Sequence, residues 1–409
     1  MVTVPSCIAF DFLLSLGENK MKMAETDSLD EFAGIAPYTD EEASVAIAKL
    51  AGHRYTKLIS KYLFPHERWD YLANMLKEVH TVDEFQRAVV SKAVAWVIDT
   101  STDGFTYEGV ENVSDLSHKY LMMSNHRDIV LDPALTQYVL FRHGLPQTEI
   151  AVGDNLIKDS KTVEALLRCN RMVTVVRGVS ARELYLSSQV LSKYIRQGIT
   201  SDRASMWIAQ RQGRTKNGID VTEQGLLKMF DMSGTKGFKD NFEELHIVPM
   251  SISYEYEPCD IRKAREILIS RTQKYVKKRN EDMHSIIMGI RQQKGHVHLH
   301  IGKPLTSEEI EAASLCDKND RYQLIRHAVD RRVIEGYKLW KTNYLCYDLV
   351  NGTHKYAEHY TDEDVAAFKK YMEHRMGKVE RSLDRDELRD IFLKIYSNPV
   401  LSKEQLAEE

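Results

Sequence analysis

Past Asp103-Gly104 the chain breaks into short apolar runs separated by stretches of helical periodicity, and this alternation constrains the fold more than any other feature. Residues 120–123, 149–152, 172–176, 206–209, 247–254 and 296–301 are apolar and bounded by polar or glycine positions, which predicts strands. Helical spacing fills 133–141, 160–167 and 181–197, and a longer, broken helix is expected over 260–292. Strands alternating with helices predict an α/β fold, a mixed central sheet covered by helices.

Ahead of this region, 39–99 reads as helical. Thr39 with Glu42 and Thr81 with Glu84 form capping boxes. Val45, Ala48 and Ala51 follow the first at helix spacing, and Phe85, Val89, Ala93 and Val97 trace one face after the second. Near the end, Asp384 with Glu387 opens a helix whose apolar face is Leu388, Ile391, Phe392 and Ile395, and the last, polar residues are expected to fray. The expected organisation is a non-native start or disordered stretch over 1–22, a helical N-terminal region over 23–100, an α/β domain over 101–310, and C-terminal helices over 311–409 packed on the core. Met21 and Met23 offer alternative starts for the first stretch.

Composition narrows the class. A net charge of −4 over 409 residues argues against a general nucleic-acid binder. Cys7, Cys169, Cys259, Cys316 and Cys346 are scattered with no CxxC pair, which predicts reduced thiols in a cytosolic protein rather than a disulfide framework or zinc site. Spanning a bilayer takes roughly 18 apolar residues, and the best run, 8–16, is short and interrupted by Asp11.

The chemistry concentrates in Ser124-Asn125-His126-Arg127-Asp128-Ile129-Val130-Leu131-Asp132-Pro133. An apolar run leads in, and Asp132-Pro133 suits a helix start, so a His and two carboxylates sit at a strand-to-helix turn. In α/β proteins such turns line the crevice where ligands bind. A His beside a carboxylate is a general base held in one tautomer. Three later stretches add cations just past strand ends: Arg177-Gly178 after 173–176, then Arg211, Arg214 and Lys216 around Gly213 and Gly218, with the apolar strand of Pro249 following. Guanidinium forks and glycine-freed N–H groups suit phosphate oxygens. Pro249 is expected at a strand start, an edge or a bulge.

These blocks resemble the glycerolipid acyltransferases. Asn125-His126 with Asp132 is similar to the NHxxxxD block of the glycerol-3-phosphate and 1-acylglycerol-3-phosphate enzymes. Arg177 ends the second block, Trp207 to Gly218 resembles the third (F-P-E-G-x-R-S), and Val248-Pro249 the fourth. The likeness covers roughly residues 85–305, and Phe141 to Leu156 looks like the glycerol-3-phosphate branch. Two positions depart from the pattern. The expected carboxylate position is Leu131, so Asp132 or Asp128 partners His126, Asp132 being preferred because Pro133 follows it. Gln212 stands where the family has glutamate.

The resemblance implies a glycerol-phosphate acyltransferase-like fold and direct acyl transfer. His126 would take a proton from a glycerol-phosphate hydroxyl, Asp132 or Asp128 would hold its ring, and the alkoxide would attack the thioester of acyl-CoA or acyl carrier protein. Arg177, Arg214 and Lys216 would anchor the phosphate, with Asn125, Gln212 and Gly213 positioning substrate. No cofactor or metal is implied, acyl-CoA or acyl carrier protein being the co-substrate. The alternation of His296, His298 and His300 is read as a strand face rather than a metal site. The basic run 262–279 suits either an anionic membrane surface or a solvated helix face. The expected protein is cytoplasmic, peripherally bound to the inner membrane, and makes phospholipid precursors. A lyso-aminolipid acceptor and a non-catalytic lipid-binding protein of the same fold are the alternatives.

Overall fold

The computed structural model describes residues 31–53, 56–157, 161–278 and 280–409, so the expectation for 1–22 lies outside the described residues. The chain is α/β, with strands β1 (Gly104–Glu108), β2 (Leu121–Ser124), β3 (Glu149–Gly153), β4 (Met172–Val175), β5 (Met206–Ala209), β6 (Ile247–Tyr254) and β7 (His296–Ile301) set among helices. It divides into two compact units. One comprises residues up to 97 with 137–208 and 229–235; the other comprises 98–136, 209–228 and 236–409.

In the first unit β3 runs parallel to β4 and to β5, pairing Ile150 with Met172 and Glu149 with Met206. Both expected capping boxes form, at Thr39–Glu42 and Thr81–Glu84. The apolar face of the helix Asp40–Ala51 is not the expected one. Ala43, Ala46, Ile47 and Ala51 are buried, while Val45 is 57% exposed. The i, i+4 series Ala43–Ile47–Ala51 brings a small-residue surface against Leu72, Leu76, Val82 and Phe85, and Val45 falls outside that arc.

The second unit holds four strands in the order β1-β7-β6-β2. β2 is parallel to β6, β1 is parallel to β7, and β6 is antiparallel to β7, which makes the sheet mixed. All eight residues of β6 are buried, as suits an inner strand whose sequence is apolar apart from Ser251, Ser253 and the terminal Tyr254 hydroxyl. Ser124 pairs with Met250, so β6 continues four residues past the end of β2. β1 escaped the sequence reading because it is an edge strand with Thr106, Tyr107 and Glu108 exposed and no alternating pattern.

Pro249 departs from expectation, since it is the third residue of a strand with neighbours on both sides. Its carbonyl accepts from the Gly302 N–H at 2.9 Å, so its missing N–H also faces β7, where that ladder has run out after Ile301. The reversed direction of β7 sends β1 and β7 out of the sheet toward the side where β2 and β6 begin, although Ile301 and Ser124 both pair with Met250. There a cleft of about 670 Å³ is lined by residues including Glu108, Gly109, His300, Lys303, Arg331 and Glu335.

The expected long helix over 260–292 is two helices, Asp260–Ser270 and Glu281–Arg291, with left-handed Asn280 (φ 64°) at the start of the second. The C-terminal helix Arg385–Glu408 is capped by Asp384, which accepts from the Asp386 and Glu387 N–H groups. Leu388, Ile391, Phe392 and Ile395 are all buried as expected, against Phe368, Met372, Leu345 and Leu268. The helix does not fray early, because Glu404 accepts from the Tyr347 and Tyr356 hydroxyls and pairs with Lys355.

Phe392 is fully buried, and its ring lies 5.5 Å from that of Tyr396 and 6.2 Å from that of Phe368. Phe392→Ala should therefore cost about 3–5 kcal/mol, read as a lowered urea midpoint.

Candidate active site

β2 delivers the chain into a tight turn, Asn125 to Val130, before the helix Leu131–Arg142 begins. Asn125 is fully buried and ties this turn to the overhanging part of β6. Its Oδ1 accepts from the Ile252 N–H at 2.8 Å, and its Nδ2 donates to the Ile252 carbonyl and to Asp220 Oδ2.

His126 follows, its side chain 15% exposed, with Nδ1 2.9 Å from Asp132 Oδ2. The carboxylate can only accept, so Nδ1 carries the proton and Nε2 carries the lone pair. Asp132 is 1% exposed, and the same Oδ2 accepts from the backbone N–H groups of Arg127 (2.6 Å) and Asp128 (2.8 Å). Its Oδ1 accepts from the Tyr254 hydroxyl at 2.8 Å. Burial first, and then Asp132, raises the Tyr254 phenol well above its usual range, so it stays a donor.

Asp128 does not partner His126. Its Oδ1 accepts from the Val130 and Leu131 N–H groups, both at 2.9 Å, which caps the helix in the manner expected of Asp at a helix start. The preferred carboxylate of the sequence reading, Asp132, is the one on the imidazole.

Beneath the turn lies a cluster of buried charges. Arg127 donates to Asp220 Oδ2 (2.6 Å), to the Gly218 carbonyl and to Glu257, and its guanidinium stacks 5.0 Å from the Tyr337 ring. Burial alone would lower its pKa, and Asp220, Tyr337 and Glu257 together hold it well above the usual value. Lys263 Nζ donates to Glu257 and to the Arg127 carbonyl at 2.7 Å.

The third block wraps the same turn. Gly213 and Gly218 take positive φ (72° and 81°), and a Cβ at Gly218 would lie 2.2 Å from the Ile395 carbonyl oxygen. Thr215 donates its N–H to the His126 carbonyl at 2.7 Å and its hydroxyl to Asp220. Arg214, next to it, has a buried Nη1 without a hydrogen-bond partner. Burial works to lower the Arg214 pKa, and Cys259 and Asp128 beside it raise it on balance. Gln212 is exposed and gives its N–H to Glu223. The Lys216 ammonium is held by Glu266. Arg177 belongs to the first unit, where its N–H donates to Asp154 Oδ1 and its guanidinium crowds Gly153.

The three histidines of β7 each have a protein partner: His296 with Glu255, His298 with Thr106 and Glu108, His300 with Glu108. Among the described residues no group of His, Cys, Asp and Glu is arranged to hold a metal.

With this geometry in view, comparison with known families is specific. Residues 104–253 match the family model described as Acyltransferase, so this part of the chain carries an acyltransferase domain. The domain implies acyl transfer from a donor to a lipid acceptor. Comparison with curated proteins gives no match.

Sequence reasoning missed Asp220, Tyr254, Glu257 and Lys263. Tyr254 carried little signal, since Ser251 and Ser253 place hydroxyls on the same strand. The other three lie 93 to 136 residues from Arg127 in loops and a helix start, where pattern says nothing of partners.

The helix Glu281–Arg291 meets the turn at Gly289, where a Cβ would sit 2.1 Å from Asp128 Oδ2. A helix-interior Gly→Ala change normally adds about 1 kcal/mol. Here Asp128 is fixed by its two caps, so Gly289→Ala should lower the melting temperature and impair the site. Gly225→Ala, with open space around the new Cβ, should raise the melting temperature slightly; a thermal melt of each variant reads the difference.

Proposed function

We propose that this protein is an O-acyltransferase moving a fatty acyl group from acyl-CoA or acyl carrier protein to a hydroxyl of glycerol-3-phosphate or 1-acylglycerol-3-phosphate. The observation that carries this reading is the Nδ1 contact of His126 with Asp132, which leaves Nε2 as the base. In the reaction Nε2 takes the acceptor's hydroxyl proton, and the oxygen attacks the thioester carbonyl. The tetrahedral intermediate collapses, the C–S bond breaks, and the departing thiolate recovers the proton from the imidazolium. Asp132 stabilises that imidazolium without itself taking the proton.

The acceptor's phosphate is assigned to Arg214, whose backbone neighbour Thr215 is bonded to His126. Lys216 is the weaker anchor because Glu266 already neutralises it. Arg177 contributes in this reading through the second block, and Asn125, Gln212 and Gly213 shape the turn. No cofactor beyond the acyl carrier enters the chemistry.

Membrane residence is part of the same proposal. No described helix is long and apolar enough to cross a membrane. Within the basic run, Lys263 is buried and Arg265, Arg271 and Lys277 are paired with Glu380, Glu387 and Asp282. Among the described residues of the run that leaves Arg262, Lys274 and Lys278 as the cations to meet anionic headgroups on the cytoplasmic face of the inner membrane, Arg279 lying outside the described residues.

The test is thiol release from palmitoyl-CoA and from a matched acyl carrier protein, with glycerol-3-phosphate and 1-acylglycerol-3-phosphate as acceptors. His126→Ala should reduce kcat by about 10²–10⁴-fold. Arg214→Ala should raise the acceptor KM by about ten- to a hundredfold if the acceptor carries phosphate. A harmless Arg214→Ala in an active enzyme points to a lyso-aminolipid acceptor, and intact lipid binding without turnover points to a non-catalytic protein.

A further inference from the structure

The sequence makes Tyr254 a core residue, and its burial agrees with that. Its hydroxyl, however, is spent on the one carboxylate that touches the imidazole. β6 overhangs β2 by four residues, and the overhang is used twice: Ile252 takes both ends of the Asn125 amide, and Tyr254, on the next same-face position, reaches Asp132 Oδ1 at 2.8 Å. Tyr254 lies one residue beyond the segment that matches the acyltransferase family.

We propose that Tyr254 is a positioning residue that sets the orientation and the basicity of His126 through Asp132. By holding Oδ1, the phenol turns Oδ2 toward Nδ1 and shares the carboxylate's charge. An Asp132 whose charge is partly taken up by a third donor stabilises the imidazolium less than a bare carboxylate would. Tyr254 keeps its own proton throughout and touches no substrate.

Other charged groups face the pair. Asp128 lies on the same turn, Glu257 lies just past β6, and Arg127 is neutralised by Asp220, with Lys263 behind it. Replacement of the Tyr254 hydroxyl leaves all of them in place, so they form a constant background for the measurement.

The inference rests on the acyltransferase reading for its kinetic test, and a second observable keeps the two separable. In Tyr254→Phe the ring still fills its site. This variant should lower kcat about tenfold and move the acid limb of kcat/KM upward by about 0.5–1 pH unit. Incorporation of 3-fluorotyrosine at position 254, a stronger donor, should move the limb downward. The His126 imidazole, followed by 15N NMR, should titrate in the same two directions whether or not turnover is seen. Unchanged limbs and an unchanged imidazole titration in both variants overturn the proposal, even if Tyr254→Phe also lowers stability. A wild-type enzyme with no acceptor-dependent thiol release overturns the acyltransferase reading alone, and the NMR titration then decides the role of Tyr254. Should Tyr254→Phe fail to fold, the fluorinated protein carries the test.

Discussion

Four buried charges support everything above them in the second unit. Arg127, Asp220, Glu257 and Lys263 are each between 1% and 6% exposed, two cations against two carboxylates. Taking such groups from water costs several kcal/mol apiece, and the cost is offset only when every partner is present. The pairing here draws in backbone as well, since Arg127 donates to the Gly218 carbonyl and Lys263 donates to that of Arg127. One cluster thereby fixes three segments that the sequence keeps far apart: the turn after β2, the loop before Asp220, and the start of the helix Asp260–Ser270.

On this base Asp132 has two tasks. It accepts the backbone N–H groups of Arg127 and Asp128 in the turn before the helix, and it orients the imidazole. Asp128, four residues earlier, caps the same helix from the other side. The local fold and the base chemistry thus depend on the same oxygen atoms. An imidazole on a mobile turn would need the reaction to order it; here the ordering is done when the chain folds.

The strands at 206–209, 247–254 and 296–301 were legible to the residue, because the first two are mostly apolar runs and the third alternates His with Val, Leu and Ile. β1 was not, because an exposed edge strand imposes no pattern. The capping boxes were legible through their short fixed spacing, whereas the buried face of the helix Asp40–Ala51 was set by what packs on it. His126 and both carboxylates could be named from the sequence, but the choice between Asp128 and Asp132 belongs to turn geometry. Whether a cation is free or paired was illegible: Lys216 and Arg214 look alike in sequence, and only the first meets a glutamate across fifty residues.

The reversal of β7 against β6 sends the chain out of the sheet in opposite directions after Ser124 and after Ile301, yet both residues pair with Met250. Two strand spacings of about 4.8 Å therefore put them roughly 10 Å apart. That distance is about one Debye length at physiological ionic strength, and buried charges are screened less than exposed ones. A charge gained or lost around the Glu108–His300 cleft is therefore within electrostatic reach of the turn that carries the imidazole, and a change of sequence there can detune the base.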